Sequence, residues 1–108
     1  MPDYYLVHRT HGPAWDDSLH RREQPRWAEH ARFMDGLVED GFVVLGGPVG
    51  EGDGHSAMLV IAAADEDEIH ARLAGDPWGP DMLRTASVTP WTILLRAPGA
   101  AALQRTSR

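Results

Sequence analysis

His30 occupies a position where an amphipathic helix should carry only apolar side chains. The segment Pro25 to Asp40 repeats Trp27, Ala31, Met34 and Val38 at helical spacing, with Phe33 and Leu37 beside them. His30 stands three residues after Trp27 and four before Met34, so it shares their inward face. An imidazole there needs a polar partner. Asp76, in the turn Gly75-Asp76-Pro77-Trp78, is a candidate carboxylate. A His–Asp pair is a general acid/base, because the carboxylate fixes the tautomer and stabilises the imidazolium once a proton arrives. The competing reading is a core histidine that only satisfies a hydrogen bond, and the pattern leaves both standing.

Other residues admit chemistry beside a plainer role. Arg26 precedes His30 by one helical turn and is placed either to clamp a substrate carboxylate or to pair with Glu23 or Glu29 in solvent. Trp78 and Trp91 form either an aromatic wall or, more commonly for tryptophan, core or dimer interface. His8, His11 and His20 with Asp16 and Asp17 are the one cluster that suggests a metal. The spacing of His8 and His11 needs a helix to bring both rings to one face, however, and the segment reads as a strand end. Surface histidines are the expectation there. Gly46-Gly47-Pro48 either admits a ligand to backbone amides or makes a tight turn; the Lys-Ser/Thr ending of a phosphate loop is missing.

Composition narrows the classes. A chain of 108 residues is one domain able to bury roughly two thirds of its unfolded surface. Sixteen acidic residues against 10 basic ones give a net charge of −6, which argues against a nucleic-acid partner. Every basic residue is Arg, so lysine Schiff-base chemistry is excluded, and the absence of Cys removes disulfides and thiolate chemistry. The opening Met1-Pro2-Asp3-Tyr4 lacks a basic-then-apolar leader, no apolar run reaches membrane length, and the expected location is the cytoplasm.

The elements that must position these residues follow from local pattern. Tyr4–His8 reads as a strand and His11–Gln24 as a long loop. The helix of Pro25–Asp40 closes at Gly41. Phe42–Leu45 is a strand stopped by Gly46-Gly47-Pro48, Val49–Gly54 a flexible connection, and Ala57–Ala62 the next strand. Asp65 caps a second helix, with Glu68 completing a capping box and Gly75 ending it. Thr85–Arg96 is the last strand, which Pro90 assigns to a sheet edge or a bulge. The order β-α-β-β-α-β gives an α+β, ferredoxin-like antiparallel sheet with two helices on one face. Residues 1–96 make one domain and 97–108 a frayed tail. Because both faces of the inner strands are apolar, a second copy is expected to cover the other face, sheet against sheet.

These motifs together resemble the YCII-related, or YciI-like, family. The resemblance runs from Asp3 to Arg96. It is carried by the opening strand, Arg26 and His30, Asp40-Gly41-Phe42, Gly46-Gly47-Pro48, Asp76-Pro77-Trp78 and Pro90-Trp91. It implies a dimeric α/β barrel with a His30–Asp76 dyad, similar in fold to muconolactone isomerases and to monooxygenases that use no cofactor. It also implies a lyase, dehalogenase or isomerase acting on a small organic acid, ring-cleavage product or lactone. The loop Thr10–Gln24, carrying Trp15, is longer than the family pattern and is placed to cover the pocket.

The expected site is therefore His30 and Asp76 as the catalytic pair. Arg26, His8, Gly47, Pro48 and Trp78 contact the substrate, and no metal or cofactor takes part. Proton abstraction beside a carbonyl, followed by isomerisation or loss of a leaving group, is chemistry such a site can run. The alternatives are a non-catalytic ligand-binding or accessory protein using the same pocket, and a purely structural dimer module.

Overall fold

Alternation along the first strand decides which side chains face the helices. A computed structural model describes residues 4–51 and 56–100. Strand β1 (Tyr4–His11) turns Tyr5, Val7, Arg9 and His11 to one face and Tyr4, Leu6, His8 and Thr10 to the other. The chain continues through α1 (Trp27–Glu39), β2 (Val43–Val49), β3 (Ser56–Ile61), α2 (Glu66–Leu73) and β4 (Leu83–Trp91). The four strands form one antiparallel sheet in the order β2-β3-β1-β4. This is the expected α+β, ferredoxin-like arrangement. Among the described residues no helix is long and apolar enough to cross a membrane.

The main core lies between helices and sheet, where Val7, Leu37, Val43, Leu59, Ile61, Ile69 and Leu73 are buried together. Each such side chain contributes about 1.5–3 kcal/mol by leaving water. A second cluster, Tyr4, Val60 and Ile93, forms on the opposite face, where Leu6, Val44 and Ala62 pack against it. That face still presents Leu45, Val49 and Trp91 partly exposed, while Leu94 and Leu95 are 85% and 92% exposed.

Several boundaries differ from those the sequence suggests. Strand β1 runs three residues further, to His11, and this brings Arg9 into the sheet. Gly46-Gly47-Pro48 does not stop β2. The strand passes through it because β2 is an edge strand, where a proline without an N–H interrupts no second ladder. Pro90 sits in the other edge strand, β4, as its chemistry requires. Helix α1 begins only at Trp27, because Arg26 adopts a left-handed backbone (φ 61). Gly41 takes the positive φ of 78 expected after a last helical turn. Asp65 accepts from the Glu68 N–H at 2.8 Å, but the Glu68 carboxylate reaches the N–H of Ala64, so the box closes one residue early. The helix's cap is Ala74 rather than Gly75.

The long loop is built, not loose. Gly12 and Ala14 donate to the carbonyls of Met82 and Asp81. Gln24, 3% exposed, threads the loop from inside, donating to the carbonyls of Asp16 and Leu19 and accepting from the Asp16 N–H. Part of the connection Val49–Gly54 and most of the tail 97–108 lie outside the described residues.

Candidate active site

Asp76 is placed by the end of α2, where its N–H donates to the Leu73 carbonyl. Its carboxylate turns back to accept the Trp78 N–H at 2.8 Å, a side-chain turn typical of Asp. Helix α1 brings His30 against it, with Nδ1 lying 2.9 and 3.0 Å from the two carboxylate oxygens. Strand β1 supplies Arg9, whose Nη1 donates to Asp76 at 3.4 Å and whose Nη2 donates to the Leu83 carbonyl at 3.2 Å. Arg9, His30 and Asp76 are 4%, 8% and 7% exposed. Burial holds the Arg9 guanidinium below its ordinary value, and Asp76 offsets only part of that effect.

The contact sets what each ring nitrogen of a neutral imidazole would do beside an ionised carboxylate. An ionised carboxylate only accepts, so the neutral imidazole that suits it carries its proton on Nδ1 and leaves Nε2 as the basic nitrogen. Trp78 lies flat against His30, ring centroids 3.9 Å apart and planes 14° from parallel. The Trp78 indole N–H donates to the Pro25 carbonyl at 2.6 Å, which fixes the ring that fixes the imidazole. Trp27 and Trp15 approach Trp78 at 5.7 and 5.3 Å, the latter edge-on, and His11 stacks on Trp15 at 3.8 Å.

His30 opens onto a cavity of about 310 Å³ between α1 and the outer end of β2–β3. This volume is at the lower end of small-molecule sites. Its walls combine Trp15, Trp27 and Trp78 with Met34, Val38 and Leu59, an apolar and aromatic lining with Arg9, Arg21 and Asp35 as charged members. The loop expected to cover the pocket does so through Trp15 and Arg21.

Of the expected site residues, the structure brings His30, Asp76 and Trp78 into direct contact, and Gly47 and Pro48 line the cavity onto which His30 opens. Two expected substrate contacts lie elsewhere. Arg26 is exposed and outside the cavity, because it is the left-handed residue that precedes the helix rather than a member of its first turn. His8 alternates with Val7 and Arg9, so it occupies the sheet face away from the helices, paired with Met58 and Ser87. Trp91 is on that far face as well. The histidines of the possible metal cluster are dispersed: His11 stacks on Trp15, and His20 caps a short 3-10 turn by accepting the Arg22 N–H. Among the described residues no group of three or more His, Asp or Glu is placed to share a metal ion.

Arg9 is the residue that sequence reasoning missed. Its signal was there. Tyr5, Val7 and Arg9 alternate, so a strand one turn of pleat longer puts a cation on the buried face.

Comparisons with known proteins give a family and a fold. The model of the YCII-related domain matches residues 4–92. The chain is similar to the solved 5-chloro-2-hydroxyhydroquinone dehydrochlorinase (TftG) of Burkholderia phenoliruptrix AC1100, a complex with 2,5-dihydroxybenzoquinone. The two share 25% identity over 79% of this chain and 87% of that one, with a TM-score of 0.55. No curated protein matches the chain.

Proposed function

The chain belongs to the YCII-related family, and on that premise we propose that it is a cofactor-independent lyase, dehalogenase or isomerase of small ring-derived molecules, acting in the cytoplasm. The observation that carries this reading is the His30 imidazole, bound by Asp76 at Nδ1 and lining an aromatic cavity. Nε2 removes a proton from a hydroxyl, or from a carbon beside a carbonyl. The freed electron pair moves through the ring or chain and expels the leaving group, or returns to another carbon in an isomerisation. In the halide case the chlorine-bearing ring carbon first takes up a proton, giving a keto tautomer, and loss of a second hydroxyl proton then expels chloride. The net change is loss of HCl to give a quinone, with no oxidant or reductant required. Asp76 stabilises the imidazolium formed on the way. The tryptophan walls select flat substrates, and the volume holds one ring with its substituents.

The similarity to a dehydrochlorinase of a chlorinated hydroxyhydroquinone supports a halogenated or hydroxylated ring as the first substrate class to try. The protein acts as a homodimer, sheet packed on sheet, since the face carrying Leu45, Val49 and Trp91, with the exposed Leu94 and Leu95 just beyond β4, is too apolar to stay in water.

Chloride release from a chlorinated hydroxyhydroquinone, followed beside ring absorbance, tests the proposal. Replacing His30 by Ala should lower the rate about 10²–10⁴-fold while the far-ultraviolet spectrum keeps its folded form. An undiminished rate in His30→Ala would overturn the mechanism. Tight binding by the wild type with no product would instead establish the ligand-binding or accessory reading.

A further inference from the structure

Arg9 lies on the helix-facing side of β1, two residues after the fully buried Val7, and it is 4% exposed. Arginine is almost never buried so deeply unless it is paired. Its pairing here is incomplete. A strong guanidinium–carboxylate contact measures about 2.7–2.9 Å, whereas Arg9 meets Asp76 at 3.4 Å. Asp76 spends its short contacts on His30 and on the Trp78 N–H instead. One further donor of Arg9 goes to the Leu83 carbonyl, and the buried Nε has no partner. Burial also depresses the guanidinium despite the nearby carboxylate, as expected of a cation short of compensation.

Arg9 and His30 line the same cavity and touch the same carboxylate. The other charged members of the wall are Arg21 and the exposed Asp35, with Asp76 behind His30. We propose that Arg9 binds an ionised oxygen of the substrate, so that the ligands of this cavity are flat ring anions, phenolates or enolates, rather than neutral rings. The inference rests on His30 being the base of this site and adds the substrate's charge. Proton removal at Nε2 increases negative charge on the ring oxygens, and a fixed, water-poor cation stabilises that charge more as it grows. Arg9 thus contributes both to binding and to the rate.

The test compares two quinones of one skeleton by calorimetry. 2,5-Dihydroxybenzoquinone carries vinylogous acid hydroxyls that are ionised at neutral pH; 2,5-dimethoxybenzoquinone has none. The wild type should bind the ionised quinone about tenfold or more tightly. Arg9→Met should bring the two affinities to within about twofold, and Arg9→Lys should keep part of the preference as a point charge. Should Arg9→Met fail to fold, Arg9→Lys alone decides, with a preference reduced severalfold as the supporting result. No binding of either quinone, no preference in the wild type, or a preference untouched by the Arg9 substitutions overturns the inference. Its failure is separable from failure of the proposed reaction. His30→Ala should lose turnover but keep the charge preference, whereas a protein that never turns over but shows the Arg9-dependent preference retains this inference and loses the reaction.

Discussion

The ring of Trp78 stacks on His30 at 3.9 Å, while the backbone N–H of the same Trp78 donates to the carboxylate that holds His30. One residue therefore fixes the imidazole from its face and from its edge, and both contacts follow from the turn that ends α2. Asp76 and Trp78 are two apart, the spacing at which an Asp side chain accepts a following N–H.

Replacing Trp78 by Phe separates these two contributions. A flat ring stays against His30 and the backbone N–H to Asp76 is unaffected, but the Pro25 carbonyl loses the indole donor. Urea denaturation should show a loss of about 1–3 kcal/mol, with turnover within about tenfold of wild type. A rate collapse with unchanged stability would mean that the indole N–H, not the stack, organises the imidazole.

Asp76→Asn keeps the shape of the turn and removes its charge. The imidazole then loses its reason to keep the proton on Nδ1, and buried Arg9 loses its carboxylate. Stability should fall by about 3 kcal/mol, as when one partner of a buried ion pair is removed, and turnover by about 10²–10⁴-fold. Adding Arg9→Met to Asp76→Asn should restore much of the stability and none of the rate. A double variant that is simply the sum of the two single losses would show that Arg9 and Asp76 are not energetically coupled.

The fold was readable because its pattern is local: inward periodicity in α1, apolar strands on either side of a glycine-rich connection, and Asp65 before α2. The contact between His30 and Asp76 was readable for a different reason. A histidine within an apolar stripe demands a partner, and a carboxylate followed by Trp in a turn is a plausible one. Arg26 and His8 were misplaced because each depends on a single backbone detail, a left-handed residue before the helix and the parity of a strand, that composition does not encode. Arg9 stayed hidden because the strand end looked like His8. One misjudged boundary concealed a buried cation of the cavity wall.

The loop over the pocket carries its own acid sensitivity. Asp16 accepts from the Ser18 hydroxyl at 2.6 Å and the Ser18 N–H at 3.0 Å, and the hydroxyl bond first, then the backbone one, hold its carboxyl below the ordinary 3.8. A depressed carboxyl stabilises the fold above its unfolded value, and that contribution disappears as pH falls through the folded value. The amide resonance of Ser18 should therefore titrate with a midpoint below 3.8, and Asp16→Asn should abolish the titration. A midpoint above that value would remove the hydroxyl's role.

Two adjacent glycines of β2 should behave oppositely. A methyl on Gly46 would lie 2.6 Å from a Leu59 methyl, whereas one on Gly47 meets no atom within 4 Å. Both residues line the cavity. Gly46→Ala should cost about 1–3 kcal/mol through overpacking. Gly47 pairs with Met58, so a methyl there points to the far face and away from the cavity, and Gly47→Ala should leave stability within about 0.5 kcal/mol and KM within about twofold. A KM raised severalfold would show that the substrate depends on the Gly47 backbone itself.

The assembly is tested on the sheet's far face. Leu45 is 44% exposed there, opposite Val60 in the ladder, and no helix among the described residues covers it. Sheet-on-sheet packing would bury it with its counterpart in the second copy, and a carboxylate there would face a like charge across the two-fold axis or an apolar wall. Leu45→Glu should convert a dimer to a monomer in sedimentation equilibrium, with the dissociation constant raised at least about a hundredfold. The cavity belongs to the opposite face of the sheet, so the monomer should still bind quinone. A wild type that sediments as a monomer would end the dimer proposal, and a Leu45→Glu dimer would move the interface to the Trp91–Leu95 end of the face.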